Sequence, residues 1–410
     1  MANSNRVSSL YAAEAVLATV SSGAMTKTIM NDQDLLSRLV AFDTTSELSN
    51  RPIMDFLCDY LDRPGLTTRR FEASEGKENL VVHSGSLDGS GDGMTLSGHL
   101  DCVPVGSGWT TDPHELHERD GRLFARGSCD MKGFDALAVN AMAREAQSSD
   151  GHPLALVLTC DEELGSLGAA SLVEQWPSDL VLPRSTIIGE PTMLEVVRMH
   201  KGHLKFTIRL SGASGHSGTP TSGINAIEMA GKAIGVLGDL ISSFEDIRTE
   251  ASPIFDSVPH PVLSIVGIDG GAAWNIIPEA SEIRCGLRVM PDQDAAEYLG
   301  MIREALSSSL PEGRWVLEVY NDNPPMCTDE DTAVNRLACD AIEQSRSIGV
   351  SYCSDGGHLS SLGLESVLWG PGSITQAHQP DEFIAMDQFL KGSGHLAEAV
   401  QAHCHQEARA

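Results

Sequence analysis

Two hydrophobic periodicities alternate along the chain. From Asp32 the apolar residues Leu35, Leu36, Leu39 and Val40 recur at helical spacing, with Asn31 or Asp32 placed to cap them, and residues 53–61 repeat the amphipathic pattern. Short apolar runs follow at 80–83, 94–97, 154–158 and 186–188, with helical patterns between them at 134–144 and 166–175. Strands alternating with helices predict an α/β domain with a mostly parallel sheet. Near His200 the texture changes. Residues 204–210 alternate polar and apolar, 226–240 reads as an amphipathic helix, 262–268 and 282–289 alternate again, and 293–310 is a second helix. βα alternation resumes at 316–320, 334–344 and 367–368. This order predicts a small α+β unit over 200–311, inserted in a larger domain made of 31–199 and 312–410. Residues 1–30 are expected to form a disordered extension. Glu14 interrupts its mildly apolar stretch at 11–20, which argues against an export signal.

Composition narrows the class. The 410 residues are 41% hydrophobic and 21% charged, values that suit a soluble globular protein of two domains. No window approaches the roughly 18 uncharged apolar residues needed to span a bilayer, so a membrane protein is excluded. The 28 Lys and Arg face 57 Asp and Glu, and a net charge of −29 repels a polyanion, so a nucleic-acid partner is excluded too. Nine cysteines, none in a CxxC pair, fit a reducing cytoplasm.

Candidate chemistry lies just after the apolar runs, where open α/β sheets place their sites. In an extended chain His99 and Asp101 point to one face, so Asp101 is placed to orient the imidazole. Asp130 precedes the helix at 134 and alone would read as its cap. Asp161, Glu162 and Glu163 follow the most apolar strand, and three adjacent acids repel one another unless a cation or shared proton compensates. Glu190 follows the run at 186–188, and His378 lies in the loop after 366–369. Singly, a surface pair, a helix cap or a solvated turn explains each. Together they form a hard, N/O-rich donor set that suits zinc or a neighbouring divalent ion, with enough carboxylates to hold two and share one. Two such ions roughly 3.5–4 Å apart hold and acidify water and polarise a carbonyl. A neighbouring unliganded carboxylate then serves as general base. There is no GxxxxGK[ST] phosphate loop and no GxSxG nucleophile turn.

The segments SGHLDCVP, RGSCDMKGFDA, TCDEELGS, IIGEPT, GHSGTPTSGINAIE and GPGSITQAHQPDEF resemble the co-catalytic (di-zinc) metallopeptidase family over nearly the whole chain from about Leu35. HKGH at 200–203 and the GPGSITQAHQPDE string point to its acetylornithine deacetylase branch, beside desuccinylases, aminoacylases and dipeptidases. The resemblance implies a zinc-aminopeptidase-like catalytic domain and an inserted ferredoxin-like lid that also forms a homodimer. It implies that Asp130 bridges two divalent ions, zinc or cobalt. His99 and Glu190 complete one, and Glu163 and His378 the other. Glu162 becomes the general base and Asp101 the orienter of His99. From the lid, His216 would reach the partner subunit's site and donate to the oxyanion. Asn275 and Arg288 would bind the substrate carboxylate, with Lys201 beside them. The implied activity is hydrolysis of an N-acyl amino acid, N2-acetyl-L-ornithine, to L-ornithine and acetate in arginine biosynthesis. One departure bears on the substrate: Asp355, followed by His358, stands where that branch carries a glutamate placed to meet the substrate side chain. This leaves hydrolysis intact and the identity of the acyl amino acid open. A silent zinc-binding scaffold would have no use for Glu162 beside Glu163.

Overall fold

The strands Met94–His99, Leu154–Thr159, Ser185–Pro191 and Glu365–Gly370 are buried along nearly their whole length, which is why they read as continuous apolar runs. In the computed structural model, which describes residues 27–87, 89–146 and 151–405, these four lie side by side and parallel. They form the centre of a nine-stranded mixed sheet whose outer strands pair antiparallel except Ile348–Val350, which runs parallel to Val197–His200. At one edge the hairpin Leu66–Ser74 and Lys77–Ser84 joins Leu154–Thr159. At the other, Val197–His200 pairs with Glu365–Gly370 and with Met326–Cys327.

Both sheet faces are covered. Helices Asp32–Val40, Arg51–Leu61, Lys132–Glu145 and Met386–Cys404 pack one face around Leu36, Leu57, Leu96, Leu156 and Phe389. Val81, Val157, Leu172, Ile188 and Leu368 make the core on the other. Lys132–Glu145 is buried on nearly every side, because its four alanines let it run between the sheet and three other helices. Among the described residues no helix is long and apolar enough to cross a membrane.

The strict alternation of Gly202–Ser211 turns Leu204, Phe206, Ile208 and Leu210 into a second core, leaving His203, Lys205, Thr207 and Arg209 on the opposite face. This strand sits inside a separate four-stranded antiparallel sheet covered by helices Ala226–Phe244 and Ala295–Ser309. Asn225 and Asp294 cap those helices by accepting from backbone N–H groups of their first turns. Each fully buried Leu, Ile or Phe contributes about 1.5–3 kcal/mol, so this unit carries a core of its own.

The expected boundary at 311/312 falls one strand too early. Trp315–Asn323 pairs antiparallel with Gly202–Ser211 and puts Leu317 into the second core, completing a strand-helix-strand-strand-helix-strand unit of ferredoxin-like order. Alternation at 316–320 marks a half-buried strand but does not say which sheet it joins. Of the expected disordered extension, residues 1–26 lie outside the described residues. Residues 27–30 are tied down: Lys27 pairs with Asp59, Arg63 donates to the Lys27 carbonyl, and Met30 N–H donates to the Tyr60 hydroxyl at 2.9 Å.

Candidate metal centre

The parallel centre of the sheet brings the acidic segments to one edge. His99 ends its strand, Glu190 sits near the end of the next, and Glu162 and Glu163 follow Leu154–Thr159. His378 comes from the loop after Glu365–Gly370, and Asp130 from the turn before Lys132–Glu145. His99 Nε2 lies 3.0 Å from Asp130 Oδ1, and His378 Nε2 lies 3.5 Å from Asp130 Oδ2 and 2.9 Å from Glu163 Oε1. One donor atom each from His99, Asp130 and Glu190 falls within a 4.8 Å cluster, and so does one each from Asp130, Glu163 and His378. The two clusters share Asp130. The first is buried, whereas His378 is exposed, so the site opens on the Glu163–His378 side.

Supporting contacts set these orientations. His99 Nδ1 faces the Asp101 backbone carbonyl at 3.0 Å, which places the proton on Nδ1 and leaves Nε2 free to ligate. The expected carboxylate-to-imidazole bond is therefore replaced: Asp101 Oδ1 stands 3.6 Å from Nδ1. The Asp101 carboxylate instead accepts from Glu162 N–H (3.0 Å), Glu163 N–H (3.2 Å) and Ser46 Oγ (2.7 Å). Asp161 adopts φ +54° and is clamped by buried Lys77 at 2.9 Å, which turns Glu162 and Glu163 into the site.

The sequence reading gave Glu382 no role. Buried Glu382 accepts from the backbone N–H groups of Cys129 (2.9 Å) and Asp130 (3.1 Å), and pairs with buried Arg126 at 2.6 Å. The acid following Asp381 looks no different in sequence from any loop residue.

The electrostatics are those of a site built for added positive charge. Burial raises the pKa values of Glu162, Glu163 and Glu190, and neighbouring carboxylates push in the same direction. Burial opposes the charged form of His99, yet Asp130 and Asp101 outweigh it and raise its pKa. Hydrogen bonds to Asp130 and Glu163 push His378 up to about 10. Burial works against the Asp130 carboxylate, but the two histidines prevail and hold it below the usual range. Clustered carboxylates that must borrow imidazole protons, with imidazole nitrogens between them, fit two hard divalent ions.

A cavity of about 210 Å³ opens over these groups, lined by Asp130, Glu162, Glu163, Glu190 and His378. His203, Lys205, Arg288 and Asn323 from the inserted unit also line it, with Gly165, Tyr352, Cys353 and Ile374. Arg288 lines the cavity. Lys201 does not: it is fully buried off the cavity, and its ammonium donates to the carbonyls of Val258 (2.7 Å) and His260 (2.6 Å). Asp355 is also withdrawn, buried beneath the site with Oδ2 accepting from Thr159 Oγ1 at 2.5 Å. A role in touching the substrate is corrected for both. His216 and Asn275 are neighbours on the exposed surface of the inserted unit, where Ser217 N–H donates to the Asn275 carbonyl, and neither lines the cavity. Asn321 and Asn323, from the last strand of that unit, donate to the Gly165 carbonyl and Ser166 Oγ, and so bind it to the Glu162 loop.

The chain is 36% identical over 381 residues to the acetylornithine deacetylase of Myxococcus xanthus, covering 90% of this chain and 96% of that protein. In fold it resembles an M20 family metallo-carboxypeptidase from Sulfolobus solfataricus, with a TM-score of 0.74, 17% identity and coverage of 91% and 99%. It also resembles a dinuclear metal binding peptidase of the M20 family from Bacillus subtilis, with a TM-score of 0.60, 15% identity and coverage of 91% and 98%. The model of peptidase family M20/M25/M40 matches residues 95–402, so the chain belongs to that family and is a hydrolase of amide bonds.

Proposed function

We propose that the protein removes the acetyl group from N2-acetyl-L-ornithine, giving L-ornithine and acetate, a step of arginine biosynthesis. The observation that carries this is a pair of metal clusters sharing Asp130, with Glu162 beside them in neither. The name of the Myxococcus xanthus relative supports the substrate. His99, Asp130 and Glu190 would hold one ion, and Asp130, Glu163 and His378 the other, zinc or cobalt. When bound, the two ions polarise the scissile carbonyl and acidify the attacking water. Glu162 accepts the proton released in the attack and returns it to the leaving nitrogen. Asp101 holds the backbone of that loop, and Arg288 grips the substrate carboxylate with its planar fork. A substrate panel tests the reading: N2-acetyl-L-ornithine should be cleaved faster than N-succinyl-diaminopimelate or a neutral dipeptide. Cleavage of only the latter two would overturn it.

The same reading makes the inserted unit a dimerisation surface. Trp274, Ile276, Val266 and Ile268 are exposed there beside His216 and Asn275. We place the partner's His216 over the oxyanion and the partner's Asn275 near the substrate carboxylate. Inactive His216→Ala mixed with inactive Glu162→Ala should regain partial activity as subunits exchange; no recovery after confirmed exchange would count against action across the dimer. All nine cysteines are free thiols, which supports a reducing cytoplasm.

A further inference from the structure

The inserted unit reaches the Glu162 loop through two asparagines of its last strand. Asn321 pairs with Lys205 and Asn323 with His203, so both side chains leave the sheet on the cavity face. Asn323 is 2% exposed, and its Nδ2 donates to Ser166 Oγ at 2.8 Å. Ser166 Oγ in turn stands 3.4 Å from Glu162 Oε1. Ser166 is fully buried and holds φ +57°, a left-handed conformation that persists only where its surroundings impose it. Its hydroxyl has one proton to give. With Asn323 donating to the oxygen, that proton is free to point at a carboxylate, and two lie near it, Glu162 and Asp355. Thr159 Oγ1 already donates to Asp355 at 2.5 Å, whereas among the described residues Glu162 has no other side-chain donor. The amide does more than fill space. Among the described residues Asn323 Oδ1 has no partner, and an apolar side chain of like shape would occupy the place without leaving a buried carbonyl unpaired. What asparagine adds is the N–H.

We propose that Asn323 is a positioning residue for the reaction, fixing the Glu162 carboxylate through Ser166, so that the inserted unit sets the aim of the base. The inference rests on Glu162 being the general base and adds to it a residue of the other unit. Neighbouring charges explain the need. His99 and Lys205 attract the Glu162 carboxylate, while Glu190, Asp355 and Glu163 repel it, and its side chain can rotate about several bonds. A donor on one oxygen selects a single orientation within that field. Aim matters because a reacting group displaced by about 1 Å can lose about a hundredfold in rate.

Asn323→Leu keeps much of the shape and removes the donor. On N2-acetyl-L-ornithine it should lower kcat about tenfold, the worth of one hydrogen bond to a charged group, with KM within about twofold of wild type and two metal equivalents retained. Ser166→Ala should do the same, and the double variant should lose no more than either single one, since both cut one chain of contacts. In a Glu162→Gln background Asn323→Leu should cost nothing further. Should Asn323→Leu fail to fold, Ser166→Ala in the wild-type and Glu162→Gln backgrounds carries the same test. A merely structural tether predicts that Asn321→Ala, which frees the same loop at the Gly165 carbonyl, lowers kcat as far as Asn323→Leu, and such equality would overturn the inference. So would losses that multiply in the double variant, or a slow Glu162→Gln beside an unimpaired Asn323→Leu. Full activity of Glu162→Gln would overturn the parent reading as well.

Discussion

Replacing Glu162 by glutamine is expected to lower turnover at least about a hundredfold, with two metal equivalents still bound. Glu162 lines the cavity but belongs to neither metal cluster, so the substitution leaves both donor sets whole. Its backbone is pinned by Asp101, and Ser166 Oγ stands 3.4 Å from Oε1, so glutamine can occupy the same place. What is lost is the acceptor for a proton. Burial among other acids raises the Glu162 pKa, which makes it a stronger base than a solvated carboxylate. Because the proton moves only on the way to the transition state, kcat should fall while KM stays close to wild type. Metal analysis and the midpoint of thermal unfolding, both unchanged, would separate this loss from damage to the site. Unaltered turnover would remove Glu162 from the role of base.

What could be read in the sequence follows the distance over which each residue acts. His99, Glu163 and Glu190 were legible because they stand at or next to the ends of apolar strands, and a parallel sheet gathers strand ends in one place. Arg288 was legible from the resemblance and lines the cavity. Lys201 was misread because the carbonyls of Val258 and His260, which capture its ammonium, lie more than fifty residues away. Asp355 was misread for a packing reason. A side chain at Gly357 would meet the Pro324 carbonyl at 1.9 Å, so the short helix Gly356–Leu359 presses against that segment and Asp355 ends beneath the site. Alternation gave the faces of Trp315–Asn323, but its sheet depends on register with Gly202–Ser211, which no local pattern encodes. Lys205 was overlooked because alternation marks it only as outward-facing, and the surface it meets belongs to the other unit.

Exhaustive dialysis against a chelator is expected to abolish activity and to lower the thermal midpoint, and zinc or cobalt should restore both. The stability loss follows from linkage, since ions bound only by the folded state stabilise it. It is reinforced by charge: without cations, buried Asp130 and Glu190 hold carboxylate oxygens within 4.8 Å of each other. Glu382 sharpens the test, because it contacts no other member of the clusters and reaches Asp130 only through the backbone. Glu382→Gln keeps the shape but removes the charge facing Arg126, a buried cation then left unpaired. The Cys129–Asp130 turn loses its anchor, and outer contacts of this kind are worth roughly 10–100-fold in metal affinity. The variant should therefore release its ions at a free-chelator concentration about ten to a hundred times lower than wild type, measured well below its own unfolding temperature. A purely structural Glu382 would lower the midpoint and leave the chelator titration where it was. Full activity after complete removal of metal would end the case for a metal-dependent hydrolase.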